Sequence, residues 1–159
     1  MIFFIFFQLL APGELFAKGK QAIKIAYLTQ TQKIRPALSN LDPVIEHKGI
    51  LGAELAIEDN NTTGQYTKQQ FSLEKFIVPV GGNVADTFDK QIAKKYAYVI
   101  TNLAADLTNA VADLTAAKDI LIFDAATVDD VLRNKECRAN VFHLLPSRAM
   151  RADALAQYM

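Results

Sequence analysis

The chain has 159 residues, which is enough for one domain with a sizeable hydrophobic core and short for two. Its 17 basic and 17 acidic residues cancel, and the basic residues form no stripe, so nucleic-acid binding is not expected. Cys137 is the only cysteine, which excludes an intrachain disulfide and a Cys/His zinc cluster. We expect its side chain to be buried or half-buried; a disulfide to a cysteine outside this sequence is the alternative.

The first 17 residues have the pattern of a secretory signal. Residues 2–10 are almost entirely apolar, a run too short for a membrane-spanning helix, which needs about 20 apolar residues. The run suits the h-region of a signal peptide cleaved after Ala17, although no basic residue precedes it and Leu15 is large for that place. A buried N-terminal strand is the alternative. We therefore expect export to the periplasm, with no stable membrane insertion after cleavage.

Short apolar runs alternate with helical patterns over the rest of the chain. The long connection from Gln30 to Lys48 contains Pro36 and Pro43, which exclude a regular helix, and its length is typical of a specialised flap or edge. Strands are predicted at residues 23–29, 71–78, 96–101, 120–123 and 140–145.

The helices are predicted from apolar residues that recur at helical spacing. The first covers residues 49–60 and is expected to stop at the Asn60–Gly64 run, whose residues favour turns. Thr127 to Asp130 has the form of a capping box with Asp in place of Glu. The apolar positions are Ile50, Ala53 and Ile57 in the first helix, Val84, Phe88 and Ile92 in the second, and Leu103, Leu107, Val111 and Leu114 in the third. A last helix begins near Ser147.

This alternation predicts an α/β fold, a three-layer sandwich with a mainly parallel five-stranded sheet and right-handed crossovers. Such sheets bind ligands at the carboxyl ends of their strands. The N–H groups of helices that begin there could hold an anion, with Asn102 capping the third helix, and small side chains would let a ligand approach the backbone. Tight helix–sheet packing is the alternative reason for the small residues. The candidate ligand-binding residues are Thr29, Asn102, Ala104, Ala105, Ala125, Ala126 and Thr127.

Catalytic patterns are missing from the sequence. No glycine-rich phosphate loop follows the first strand, and there is no G-x-S-x-G motif for a serine nucleophile. His47 lies in the long connection, and His143, between Phe142 and Leu144 with no acidic or cysteine partner nearby in sequence, is expected to be a core or interface residue. We therefore predict a protein that is not an enzyme, with no catalytic residue, metal site or cofactor.

Three segments resemble one family. Residues 49–61, GILGAELAIEDNN, resemble the first helix of the type I periplasmic binding proteins of the branched-chain amino-acid branch, the receptors that feed ABC importers. Residues 120–127, ILIFDAAT, resemble the fourth strand and loop of that family, and residues 140–143, NVFH, resemble its next strand. The resemblance runs in order over residues 22–159. Two further segments, 36–43 and 146–150, are similar to the subgroup associated with PQQ-dependent alcohol oxidation.

The resemblance implies an extracytoplasmic solute-binding protein whose two lobes close by a hinge motion around a small molecule, with an ABC permease as its partner. Residues 1–17 would be the signal peptide, residues 18–146 the first lobe, and residues 147–159 the first helix of a second lobe that is almost entirely missing. The residues Met150, Ala154, Leu155 and Tyr158 of that helix should then expose an apolar face or pack in a makeshift way.

The sequence departs from the amino-acid receptors of the family after the third strand. A serine or threonine usually holds the ligand there, whereas this chain has Leu103-Ala104-Ala105; Thr127 remains at the matching position after the fourth strand. A less polar small molecule is therefore expected. Two alternatives stay open: a cytoplasmic ligand-sensing regulator of the same fold, which the apolar leader argues against, and a flavodoxin-like or hydrolytic α/β enzyme, which the missing nucleophile, base and phosphate loop argue against.

Overall fold

The computed structural model describes residues 19–33 and 49–159. The expected signal at 1–17 and most of the connection at 30–48 lie outside the described residues, so both expectations stay predictions. In chain order the elements are β1 (Gln21–Gln30), α1 (Ile50–Thr67), β2 (Gln69–Val78), α2 (Val84–Thr87) with a π-helical continuation (Phe88–Ile92), β3 (Tyr98–Asn102), α3 (Ala105–Ala112), a short 3-10 turn (Thr115–Ala117), β4 (Leu121–Asp124), a second 3-10 helix (Asp130–Arg133), β5 (Val141–His143) and α4 (Arg148–Tyr158).

The five strands form one sheet in which every pair is parallel and the order is β2-β1-β3-β4-β5. This confirms the predicted α/β sandwich. The chain moves one way across the sheet from β1 to β2 and the other way from β2 to β5. Because such crossovers are right-handed, α1 lies on one face, and α2, α3 and the second 3-10 helix lie on the other.

The main core lies between the sheet and the layer formed by α2 and α3. Successive residues of a strand point to opposite faces, so alternate residues of the strands enter this core. Its strand side chains include Leu28, Val99 and Ile122, which are fully buried. The predicted stripe of the second helix is confirmed, since Val84, Phe88 and Ile92 pack on them and are buried. Burying one such side chain contributes about 1.5–3 kcal/mol.

Helix α1 is longer than predicted. It continues through the polar run at 60–64 and ends at Thr67, where Lys68 adopts a left-handed conformation with φ 55°. The run does not stop the helix because its side chains bond elsewhere: Asn61 donates from Nδ2 to the Phe71 carbonyl (3.0 Å) and accepts from the Phe71 N–H (2.8 Å). Within the same run, Gly64 packs so closely on the Gln69 carbonyl that a Cβ would overlap it.

Cys137 is exposed and free, so the expectation of a buried or half-buried side chain is wrong. It lies in the turn between the second 3-10 helix and β5. The turn is held by its backbone, since the Cys137 N–H donates to the Asn134 carbonyl (3.3 Å) and the Glu136 N–H donates to Val131 (2.9 Å). Because that geometry does not use the side chain, no packing buries the thiol.

Helix α4 begins at the predicted place, with Ser147 as its N-cap accepting from the Met150 N–H (3.3 Å). None of its 11 residues is buried, so its predicted exposure is confirmed. Nothing in the fold tests whether it opens a second lobe.

Candidate functional site

The predicted site residues all lie at one edge of the sheet, where the parallel strands end. Thr29 and Asn102 are register partners on β1 and β3, and the Thr29 hydroxyl donates to the Asn102 carbonyl (3.0 Å). The loop after β4 is tied to β3, since the Ala125 N–H donates to the Thr101 carbonyl (3.0 Å). Ala104 and Ala105 begin α3 at the same edge. The tertiary structure therefore brings the seven residues to one edge of the sheet.

The seven residues do not share one face. Because strand residues alternate, Thr29 and Asn102 lie on the α1 side of the sheet. Thr101 comes one residue before Asn102 and therefore points to the other face, the side of α2 and α3. Its register partner Asp124 and the partner of Asp124, His143, lie on that same side. The edge therefore has two polar clusters, one on each face.

The first cluster lies between β1 and β3, where the strand order reverses. The Asn102 amide donates from Nδ2 to the Tyr27 hydroxyl (3.0 Å), and Tyr27 is almost completely buried. Burial raises the pKa of Tyr27, and the hydrogen bond from Asn102 opposes that rise. Gly49, the N-cap of α1, has φ 87°, and a Cβ there would lie 2.5 Å from the Tyr27 hydroxyl oxygen. Glycine thus allows the amino end of α1 to approach this crevice, the usual ligand position in sheets of this order.

The second cluster is built around the carboxylate of Asp124, which is completely buried at the end of β4. It accepts hydrogen bonds from the N–H groups of Ala126 (3.1 Å) and Thr127 (3.0 Å), and from the Thr127 hydroxyl. Its Oδ2 also lies 2.7 Å from Nδ1 of His143, its register partner on β5. A buried carboxylate is tolerated when such donors replace water.

Asp124 orients the His143 ring, whose side chain is 12% exposed. In the neutral ring, an Nδ1–H donated to Asp124 leaves Nε2 as a hydrogen-bond acceptor; in the protonated ring, Nε2 becomes a donor beside an ion pair. The expectation that His143 is simply a core or interface histidine is therefore incomplete. The sequence did not reveal Asp124 as the partner of His143, because Asp124 and His143 are 19 positions apart and meet only through the register of β4 and β5.

Helix α3 does not begin as predicted. Its N-cap is Ala104, whose side chain cannot cap, while Asn102 is still in β3 and bonds to Tyr27. The first bond within the helix runs from the Thr108 N–H to the Ala104 carbonyl (2.9 Å), so the first-turn N–H groups begin at Ala105 and not at Leu103. Asp106 already places a carboxylate in that turn, which disfavours an anionic ligand.

The predicted capping box after β4 is also wrong. No α-helix lies between β4 and β5; the chain forms a four-residue 3-10 helix there, and its N-cap Asp129 makes no side-chain capping bond. The Thr127 hydroxyl donates to Asp124, and Thr127 is not the N-cap of the 3-10 helix. The Asp130 carboxylate instead accepts a hydrogen bond from the Ala149 N–H (3.2 Å), in the first turn of α4. The expected anion-binding helix end after the fourth strand is therefore missing.

Two more hydroxyls lie in the layer between the sheet and α3. Within residues 19–33 and 49–159, the buried side-chain polar atoms that lack a hydrogen-bond partner are Oγ1 of Thr101 and Oγ1 of Thr108. Thr101 is the register neighbour of Asp124, so the second cluster extends towards α3. A sequence signal for this extension existed in Thr101, the polar residue that ends the strand predicted at residues 96–101.

The part of the chain that the structure describes contains no group of three His, Cys, Asp or Glu side chains placed to hold a metal ion. Within the same ranges, no helix combines the length and the apolar character needed to cross a membrane. No protein-family model, curated protein or solved structure matches the chain.

Proposed function

We propose that the chain is the first lobe of an extracytoplasmic solute-binding protein and holds a small molecule at the carboxyl edge of its sheet. The observation that supports this best is the convergence of Thr29, Asn102, Ala104–Ala105 and Ala125–Thr127 on that edge. The sheet order β2-β1-β3-β4-β5 places the reversal point, where ligands usually bind, in the middle of it. Small side chains between the two polar clusters leave backbone groups accessible to a ligand.

The charges at the edge favour an uncharged ligand. Asp124 is a buried carboxylate and Asp106 is a second acidic group in the first turn of α3. Both raise the electrostatic cost of placing a ligand carboxylate at this edge. The segment from Leu103 to Ala105 contains no hydroxyl that would replace the lost attraction. We therefore propose a neutral molecule that exchanges hydrogen bonds with backbone groups and hydroxyls.

The Asp124–His143 pair favours one alternative, an α/β enzyme in which the His143 ring acts as a base. The Thr127 hydroxyl donates to Asp124 and not to His143, so it is not paired with that ring as a nucleophile. Binding without chemistry remains the better proposal.

A titration followed by ¹⁵N–¹H NMR tests the ligand site. Three probes with the same branched carbon skeleton differ in charge: leucine is a zwitterion, 4-methylpentanoate is an anion and 4-methylpentan-1-ol is neutral. We expect the alcohol to shift the amide signals of residues 103–105 and 125–127 in a saturable way, and the two charged probes to shift them much less. Equal responses to all three probes, or shifts elsewhere, would contradict the proposal.

Two tyrosine substitutions on the same helix provide the matched control. Ala104→Tyr places a large side chain at the edge, whereas Ala110→Tyr places one on the exposed side of α3. We expect the first to abolish the saturable shifts and the second to preserve them. Binding that survives Ala104→Tyr unchanged places the ligand elsewhere.

The proposed export has its own measurement. When the chain is expressed from its first codon in a Gram-negative host, mass spectrometry of the periplasmic fraction should find a product that begins at Lys18. Recovery of the uncleaved chain in the cytoplasm favours the regulator alternative.

A further inference from the structure

The two ring nitrogens of His143 have different surroundings. Nδ1 lies 2.7 Å from Oδ2 of Asp124. Nε2 makes no hydrogen bond within residues 19–33 and 49–159, yet it is not among the buried polar atoms there that lack a partner, which are Oγ1 of Thr101 and Oγ1 of Thr108. Nε2 is therefore an accessible atom of a side chain that is 12% exposed.

The surroundings of Asp124 fix the position of the imidazole proton. The carboxylate already accepts from the N–H groups of Ala126 and Thr127 and from the Thr127 hydroxyl. An ionised carboxylate has no proton to give, so its remaining neighbour, Nδ1 of His143, must be a donor. In the neutral ring the proton then resides on Nδ1, and Nε2 carries a lone pair. Nε2 is thus a hydrogen-bond acceptor, which the Asp124 charge strengthens through the ring.

The ring is held next to the loop that the ligand is proposed to contact. The carboxylate of Asp124 bonds to that loop through Oδ1 and to His143 through Oδ2. Arg133 ties the loop to the segment after β5, since its Nη2 donates to the Thr127 carbonyl (3.4 Å) and to the Leu145 carbonyl (2.6 Å). The two segments that flank the ring are therefore fixed relative to each other, which lowers the entropic cost of placing Nε2 against a ligand.

We propose that His143 is a specificity-determining residue of the ligand site and that its Nε2 accepts a hydrogen bond from a hydroxyl group of the ligand. This inference rests on the proposed function and narrows the ligand from a neutral molecule to a neutral molecule with an O–H donor, such as an aliphatic alcohol. A neutral ligand that offers only acceptor atoms takes water away from Nε2 and replaces it with no donor, which costs affinity.

Two neutral probes that differ in the donor test this inference. 4-Methylpentan-1-ol carries an O–H group, whereas its methyl ether, 1-methoxy-4-methylpentane, keeps the oxygen as an acceptor only. In NMR titrations of the complete chain, we expect the alcohol to bind at least about 10-fold more tightly than the ether, the effect of one lost hydrogen bond to a desolvated acceptor. The ¹⁵N signal of Nε2 should shift as the alcohol saturates the site and should stay in place with the ether.

His143→Phe separates the effect of the hydrogen bond from the size of the additional methyl group. A phenyl ring fills a similar space without an acceptor, so the preference for the alcohol over the ether should disappear. Phe142→Leu, on the opposite face of β5, is the control and should keep the wild-type preference. Circular dichroism checks that both variants fold, and the Nε2 shift in the wild-type chain remains a valid test if His143→Phe does not fold.

The outcomes separate this inference from the proposed function. Equal affinity for the alcohol and the ether, or an Nε2 signal that does not respond to the alcohol, overturns the role of His143 and leaves the proposed function intact. A preference for the alcohol that persists in His143→Phe assigns the hydroxyl to another acceptor and also contradicts the inference. Absence of saturable binding by either probe overturns both proposals.

Discussion

At the scale of single residues, Asp124 has the most demanding environment in the described chain. Its carboxylate has no exposed surface and depends on donors from Ala126, Thr127 and His143. The sequence pointed to Thr127 as a ligand-binding residue and to Asp124 only as the first residue after the apolar strand predicted at 120–123. The structure places the Thr127 hydroxyl on Asp124, so a role of Thr127 in orienting the loop comes before any contact with a ligand.

Replacing Asp124 with Asn should lower the free energy of unfolding by about 3 kcal/mol, because the amide NH₂ then faces groups that are themselves donors. Urea unfolding followed by circular dichroism measures the loss. Asp153→Asn, on the exposed side of α4, serves as the control and should change stability by less than about 0.5 kcal/mol. Equal stability of the two variants would show that the Asp124 cluster does not hold the edge together.

At the scale of elements, the helices show how long-range contacts override local signals. Helix α1 passes through a run of turn-forming residues because Asn61 bonds to β2 at two points. A 3-10 helix follows β4 in place of the predicted capped α-helix, and Asp130 accepts from the Ala149 N–H at the start of α4.

Two glycines of α1 should respond in opposite ways to the same substitution. A Cβ at Gly52 meets nothing within 4 Å, so Gly52→Ala should stabilise the fold by about 0.5–1 kcal/mol through helix propensity. A Cβ at Gly64 overlaps the Gln69 carbonyl oxygen, so Gly64→Ala should destabilise it despite the same gain in propensity. Chemical denaturation of both variants provides the comparison, and a stabilising Gly64→Ala would mean that α1 packs less closely on β2 than described.

The start of α4 should be sensitive to acid. The hydrogen bond from Ser147 holds the pKa of Asp130 below its ordinary value. A carboxyl with a lowered pKa contributes stability above its unfolded pKa, near 4, and loses that contribution as the pH falls through the folded value. The ¹³Cα shifts of residues 148–152 should therefore move towards coil values below about pH 4. Asp130→Asn should show a weaker helix start already at neutral pH, and an unchanged start in this variant would contradict the assignment.

At the scale of the whole molecule, stability is distributed unevenly. The central strands β1, β3 and β4 carry the fully buried side chains Leu28, Val99 and Ile122, whereas α4 buries nothing. The central strands and α4 therefore differ in how much buried apolar surface protects them from local opening.

Hydrogen exchange should reveal this difference in dilute, monomeric protein. Amides of β1, β3 and β4 should exchange slowest, near the global unfolding limit, and amides of α4 should exchange fastest among the helices. Slow exchange of α4 in the monomer would mean that the helix packs on the lobe in solution.

The sequence by itself determined the alternation of strands and helices, the apolar stripe of Val84, Phe88 and Ile92, and hence a parallel α/β sheet with its candidate residues at one edge. These features follow from residue periodicity, which acts over a few positions. Only the tertiary structure decided that His143 pairs with Asp124, that Asn61 extends α1 and that Asn102 bonds to Tyr27 instead of capping α3. In each case the partners come from different elements, and strand register and competition for donors select one partner among several that the sequence allows.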